Sequence, residues 1–138
     1  MDFVTKEKRS KIMRSIKSRD TKPEIYLRKF LFANGLRYKV AYNKLPGKPD
    51  IAFVSKKLAI FVHGCFWHQH QNCKITNFPS RNIEFWLNKF KKNQERDKKT
   101  QAQLIRLGWK PLVIWECEIL DINRNVRDLG FVLDKISK

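Results

Sequence analysis

Apolar positions along the chain recur first at helical spacing, then at strand spacing, then at helical spacing again. In residues 5–18, Ile12, Met13 and Ile16 make a narrow apolar stripe ringed by Lys6, Lys8, Arg9, Lys11, Arg14 and Lys17, which predicts a basic helix or arm suited to lying along phosphates. Thr21 and Glu24 have the spacing of a capping box and Pro23 suits a first turn, so a helix is expected from there to about Asn34. Its apolar face is Ile25, Leu27, Phe30 and Leu31, and Asn34-Gly35 is its stop. Arg37–Tyr42 alternates well enough for a strand. After the turn-rich stretch Leu45-Pro46-Gly47-Lys48-Pro49 come two short apolar strands, Asp50–Val54 and Leu58–His63, joined by Ser55-Lys56-Lys57 as a hairpin. Pairing Val54 with Leu58 sets Asp50 opposite Val62; a slip of one residue would oppose His63 instead.

Beyond Cys73 the polar stretch Lys74–Ser80 reads as a connection. Arg81 to about Phe90 is expected to be helical, with Phe85, Trp86 and Phe90 as packing residues. The polar run Lys91–Gln103 is expected to form a helix that becomes amphipathic at Leu104, Ile105 and Leu107, with Gly108 as its stop. Trp109–Trp115 is the clearest buried strand, with Pro111 near its start. A last helix is expected over about Asn125–Ile136 through Val126, Leu129, Val132, Leu133 and Ile136. Strands interspersed with helices predict one α/β domain over residues 1–138 with a mixed sheet, residues 1–20 forming its basic arm.

Composition sharpens this picture. A chain that is 42% hydrophobic and 12% aromatic buries a core and is not a disordered basic tail. Thirty Lys and Arg against 13 Asp and Glu give a net charge of +17, which points to a polyanionic partner: DNA or RNA first, an anionic membrane surface second. No apolar run reaches the roughly 20 residues a membrane span needs. The N-terminus lacks the apolar centre of a secretory signal, so a cytoplasmic protein is expected. Three cysteines cannot all pair within one chain, which favours metal ligation over a disulfide framework.

The chemistry concentrates in residues 62–73, which hold all three histidines, two of the three cysteines and the pair Phe66-Trp67. Cys65, His70 and Cys73 are spaced C-x4-H-x2-C, and Cys117, just past the last predicted strand, can complete a Cys3His set for a structural zinc. His68 competes with His70 for that place. Asp50, at the head of a strand paired with the His63 strand, can hold magnesium. His63 and His68 are candidates for moving protons, since an unperturbed imidazole changes charge near neutral pH, and Gly64 lets the backbone approach the site. Phe66 and Trp67 either pack beneath the loop or project as an apolar wedge between base steps. Taken singly, Asp50 also fits a turn or strand edge, and Glu24 is fully explained as a helix cap. The cluster together with the charge points to metal-dependent cutting of nucleic acid.

These residues stand in longer blocks: Met13-Arg14-Ser15-Ile16, Arg19-Asp20-Thr21 with Glu24, Leu45-Pro46-Gly47-Lys48-Pro49-Asp50, His63-Gly64-Cys65-Phe66-Trp67-His68, Glu84-Phe85-Trp86-Leu87, Asn93-Gln94-Glu95-Arg96-Asp97, Leu107-Gly108-Trp109 and Trp115-Glu116-Cys117. In order and content the chain resembles the very short patch repair (Vsr) endonuclease family over about residues 9–117. The resemblance implies a restriction-endonuclease-like core, with a mixed sheet flanked by helices and a structural zinc loop. It implies a magnesium-dependent nick, using one or two ions, on the 5′ side of the thymine in T:G mismatches left by 5-methylcytosine deamination. On the family's pattern Asp50 holds magnesium with the backbone of Val62, His68 transfers the proton, His63 assists at the phosphate, and Glu24 and Asp97 complete the polar site. Cys65, His70, Cys73 and Cys117 take the zinc positions; Phe66, Trp67 and Met13 match the DNA wedge; Asn93 and Trp86 are supporting residues. The implied partner is mismatched double-stranded DNA, with mismatch-repair proteins as further partners, no membrane and a monomeric chain. Two departures stand out: Val62 replaces a frequent hydroxyl residue, and the loop Gln69-His70-Gln71-Asn72 is one residue longer than the best-known version. The rival readings are the same chemistry on other mismatches or sequence contexts, and a catalytically silent, zinc-stapled DNA-binding module.

Overall fold

The computed structural model describes residues 21–70, 73 and 79–137; the basic helix expected over 5–18, with Met13, and most of the 74–80 connection lie outside the described residues. Helix α1 (Lys22–Ala33) starts with Pro23 in its first turn and ends at Asn34, where Gly35 at φ +80° lets Leu36 N–H return to Leu31 O at 3.1 Å. The expected capping box does not form. Thr21 Oγ1 donates to Glu24 Oε1 at 3.1 Å instead of capping a backbone N–H.

Four strands follow: β1 (Lys39–Val40), β2 (Ile51–Phe53), β3 (Leu58–His63) and β4 (Lys110–Trp115), in spatial order β1-β2-β3-β4. The first two pairings are antiparallel and β3–β4 is parallel. Helix α2 (Ile83–Arg106) is the crossover that a parallel pair requires. Two short helices complete the chain, α3 (Glu116–Ile119) and α4 (Gly130–Ser137). The mixed sheet flanked by helices is as expected.

The two-residue period of β3 divides the interior. Leu58, Ile60 and Val62 pack into the larger core with Leu27 and Leu31 of α1, Ile119, Leu120, and Val132 and Ile136 of α4. Ala59 and Phe61 face the other way, onto Leu104 of α2, with Leu45, Trp109 and Val113 around them. His63 has the parity of Phe61, and Trp115 the parity of Val113, so both fall on the α2 side of the sheet.

Four boundaries differ from expectation. The first strand keeps only Lys39 and Val40 because Ala41 turns to φ +48°, though Ala41 N–H still reaches Asp50 O and Tyr42 N–H reaches Pro49 O, each at 3.0 Å. The hairpin pairs Phe53, not Val54, with Leu58. Val54 leaves the ladder because Lys57 adopts φ +51° and donates its N–H to Val54 O. Asp50 therefore does not stand opposite Val62 or His63 in the register. The two helices expected between 81 and 107 are one continuous helix, in which Phe90 is buried while Phe85 is exposed instead of packed. The last helix starts at Gly130 instead of Asn125, because Val126 bridges to Leu120 and Arg127 N–H donates to Ile119 O at 2.8 Å, holding that stretch extended.

One close approach fixes the loop before β2 against α2. At Gly47, φ is +76°, and a Cβ there would collide with the Thr100 methyl and lie 3.2 Å from the Phe61 ring. At Gly64 a Cβ would meet Trp67 at an ordinary 3.4 Å. Gly47→Ala is expected to cost about 1–3 kcal/mol in urea denaturation through overpacking and a strained φ. Adding Thr100→Ser, which removes the opposing methyl, should restore part of it; a double variant no more stable than the single would contradict this packing.

Candidate active site and the adjoining Cys/His cluster

Glu24, Asp50, Val62, His63, His68 and Asp97 all line one cleft of about 430 Å3. Asp50 immediately precedes Ile51, whose side chain enters the larger core, so the strand period turns Asp50 toward the α2 side. Its Oδ2 accepts the Val62 N–H at 2.7 Å. Burial pushes this carboxyl up to about 7; Glu24 nearby adds to the rise, while the Val62 N–H and Arg28 oppose it. Glu24 comes from α1, is buried, and meets Arg28 Nη2 at 3.6 Å. A buried carboxyl and a half-buried one lining the same cleft make a site that can attract a cation.

The imidazoles stand beside it. His63, at the end of β3, is buried and stacks on His68 with ring centroids 3.8 Å apart and planes 5° from parallel. Burial, then the neighbouring His68, lowers His63 to about 4, so it is neutral at pH 7. His68 Nδ1 lies 2.5 Å from Asp97 Oδ2 on α2. With Nδ1–H donating to that carboxylate, Nε2 keeps its lone pair, which is the arrangement of an oriented general base. The loop that presents His68 is tied down by Asn93 Nδ2, which donates to Trp67 O at 3.0 Å, and by Gln69 Nε2, which donates to Phe66 O at 2.6 Å.

Across the loop, Cys65, His70, Cys73 and Cys117 bring their donor atoms within 4.8 Å of one another. His70 Nδ1 is 3.3 Å from Cys117 Sγ and 3.8 Å from Cys65 Sγ. A tetrahedral zinc with bonds of about 2.3 Å to sulfur and 2.0 Å to nitrogen has S–N edges of about 3.5 Å, so the set fits such an ion. His70, not His68, joins the cysteines. Burial pushes both the Cys65 and the Cys117 thiols above their ordinary range, and a bound metal reverses that by holding thiolates.

Phe66 packs edge-on against Trp67, Trp86 and Phe90 at 5.2–5.4 Å, and both loop aromatics are half-buried. Trp86 packs against both rings, 5.4 Å from Phe66 and 5.9 Å from Trp67. Trp115 was missed as a site residue. His70 stacks on it at 4.0 Å and His63 meets it edge-on at 5.2 Å, so one indole separates the cleft from the cysteines. Its signal was available, because it shares the parity of Val113 in a strand that ends two residues before Cys117. Glu116 was missed too; its Oε1 accepts the Cys65 N–H at 3.2 Å and its Oε2 the Arg124 guanidinium at 2.6 Å.

Residues 1–74 match the family model described as DNA mismatch endonuclease Vsr. The type II nicking enzyme V.NmeAIP of Neisseria meningitidis serogroup A is 43% identical over 135 residues, covering 93% of this chain and 96% of its own. The type II nicking enzyme V.XorIIP of Xanthomonas oryzae is 38% identical over 133 residues, covering 96% and 97%. The DNA mismatch endonuclease Vsr of Escherichia coli is 43% identical over 118 residues, covering 86% and 75%. The protein is an endonuclease. Within that class the chain belongs to the Vsr DNA mismatch endonuclease family. No helix among the described residues is long and apolar enough to cross a membrane.

The Cys/His set generates a direct expectation. Zinc-loaded protein should melt well above its chelated form in calorimetry, and Cys117→Ala should remove that difference while leaving the chelated midpoint nearly unchanged. Equal midpoints with and without chelator would exclude a stabilising ion at this place.

Proposed function

We propose that the protein nicks duplex DNA on the 5′ side of the thymine in a T:G mismatch, in a magnesium-dependent hydrolysis that opens very short patch repair of deaminated 5-methylcytosine. The observation that carries the reading is the cleft in which the Asp50 carboxyl and the His68–Asp97 pair converge. The mismatch and its T:G identity come from likeness to the family; the E. coli relative carries the name of a DNA mismatch endonuclease.

The donors at Asp50, with Glu24 nearby and the Val62 backbone, are oxygens, as magnesium prefers. Magnesium held there, as one or two ions, would supply Lewis-acid stabilisation of the charge that builds on the pentacovalent phosphate. His68 Nε2 accepts the proton of the attacking water while Asp97 holds the tautomer and stabilises the imidazolium. His63, uncharged at neutral pH, offers a neutral N–H to a phosphate oxygen. Trp67 and Phe66, with Met13 from the basic arm, act as the wedge that opens the mismatched step, which costs less to unstack than a paired one. Cys65, His70, Cys73 and Cys117 would hold zinc, and the ion would then staple the loop carrying both wedge and base. The working unit is one domain over residues 1–138, a cytoplasmic monomer whose further partners are mismatch-repair proteins.

On a labelled duplex with one T:G pair and magnesium, the wild type is expected to cut one strand at one position, Asp50→Ala to leave it intact, and His68→Ala to lose about 10²–10⁴-fold in rate. Binding without any cut by the wild type would favour a silent DNA-binding module.

The raised Asp50 carboxyl adds a pH dependence. Metal must displace its proton below about pH 7 and meets an ionised group above it. Apparent magnesium affinity should therefore rise with pH, by up to about tenfold per unit below pH 7, and level off above. Calorimetric titration between pH 5.5 and 8.5 would check this; a flat profile would show that Asp50 carries no proton in the magnesium-free enzyme.

A further inference from the structure

The cleft presents an electrostatic difficulty that the proposed chemistry leaves open. Three carboxyl groups, Glu24, Asp50 and Asp97, line it, and the substrate is a polyanion. A bound dication offsets part of this. Two further cations line the same cleft from different elements, Lys48 on the loop before β2 and Arg96 on α2, and neither has a role in the proton transfer.

Both are held at the backbone and open at the head. Lys48 follows Gly47, whose approach to Thr100 fixes the loop, and precedes the buried Pro49. Lys48 itself sits at φ +49° with its N–H donating to Leu45 O at 3.2 Å. A non-glycine residue at such a φ carries a conformational cost, and its neighbours hold it there. Among the described residues Lys48 makes no ion pair, although three carboxyls share its cleft. Arg96 Nη2 donates to Asn93 Oδ1 at 2.6 Å, and Asn93 in turn holds Trp67 O. One of the five guanidinium donors is thus engaged, which orients the group; its neighbour Asp97 is committed to His68, and Arg96 makes no ion pair among the described residues.

We propose that Lys48 and Arg96 are the substrate-holding cations of this cleft, binding backbone phosphates immediately beside the one that is cut. Lys48 supplies a point charge from a rigid loop, and Arg96 a planar fork tied through Asn93 to the loop that carries Trp67. They draw the strand against an acidic site that would otherwise repel it, and they set the cut phosphate at the reach of His68. The inference rests on the proposed nicking reaction for its geometry and on the cation pair alone for its binding.

The test uses full-length protein and a T:G duplex in which either phosphate flanking the cut is replaced by a neutral methylphosphonate. The variants are Lys48→Ala, Arg96→Ala, Arg96→Lys, and Lys56→Ala as a lysine outside the cleft. On unmodified DNA, Lys48→Ala and Arg96→Ala are expected to lose at least about tenfold in single-turnover rate at saturating DNA. Arg96→Lys should recover part of this, and Lys56→Ala should match the wild type. Neutralising the phosphate that a cation holds should slow the wild type but slow the corresponding alanine variant no further. Losses that multiply at both flanking positions would overturn the assignment. Binding of the duplex without divalent cation is an independent arm. Each alanine variant should flatten the plot of log affinity against log salt by about one phosphate contact, and an unchanged slope for both would also overturn it. If the slopes flatten while the wild type cuts nothing, the phosphate contacts stand and the nicking reading falls.

Discussion

The parallel pairing of β3 with β4 is the constraint from which both centres follow. Six consecutive pairs run from Leu58 with Lys110 to His63 with Trp115. The side chains of β3 pack into a core on each face of the sheet, so a slip of one residue would exchange the contents of the two cores. The ladder therefore fixes His63 beside Trp115. It also brings the chain out at matching heights two residues later, at Cys65 and Cys117. The cleft and the Cys/His set are thus consequences of one register, both at the carboxyl ends of the parallel strands, where open α/β sheets commonly bind ligands.

Charge is distributed in opposite senses at two scales. The whole chain carries +17, a field that gathers DNA from a distance and weakens with salt. The cleft collects carboxyls and neutral imidazole in a partly desolvated space, where Asp50 rises to about 7 and His63 falls to about 4 for the same reason: burial penalises whichever form is charged. Burial makes these two groups sensitive to an arriving cation. Long-range attraction and local acidity do not conflict, because the first acts on approach and the second acts on what is admitted to the site.

The sequence carried much of this, unevenly. Of the residues that line the cleft, Glu24, Asp50, Val62, His63, His68 and Asp97 were named from it, since Asp50, His63 and His68 announce chemistry by type and the blocks around Glu24 and Asp97 resemble a family; Lys48, Arg96 and Thr100 were given no role there, because a lysine or arginine in a chain this basic does not stand out by type. The Cys3His set followed from cysteine count and spacing, although only the fold decided between His70 and His68. The hairpin register was misjudged by one residue because apolar residues run through Phe53 and Val54 alike; the stop came from Lys57 at φ +51°, which no lysine announces. Helix α4 was drawn too long because Val126 satisfies a helical period equally well, and a single bridge to Leu120 decided the matter. Gly47 had been read only as turn chemistry, yet its lack of a side chain is what admits Thr100. Trp115 was overlooked because a tryptophan at a strand end is ordinarily packing, and only the stacking of His70 shows what else it separates.

That separation bears on how two donor sets so close together would keep different ions. The cysteine set has three sulfurs and one imidazole, enough to close a tetrahedron and leave no position for water. The cleft offers carboxyl oxygens and space, which suits a hard ion that keeps part of its water. Ligand softness alone would sort a thiolate-seeking ion from an oxygen-seeking one. The imidazoles are the ambiguous donors, since His63, His68 and Asp97 also stand within 4.8 Å of one another and can attract a softer ion. Two features work against that: the His68 Nδ1 is already engaged by Asp97, and the parallel stacking of His63 on His68 aims the in-plane lone pairs of the two rings along parallel planes, not toward a common point. The stacking that would hold the base ready would thus also protect it from capture by the wrong metal, and Trp115, edge-on to His63 and His68 and face-on to His70, keeps the third imidazole on the cysteine side.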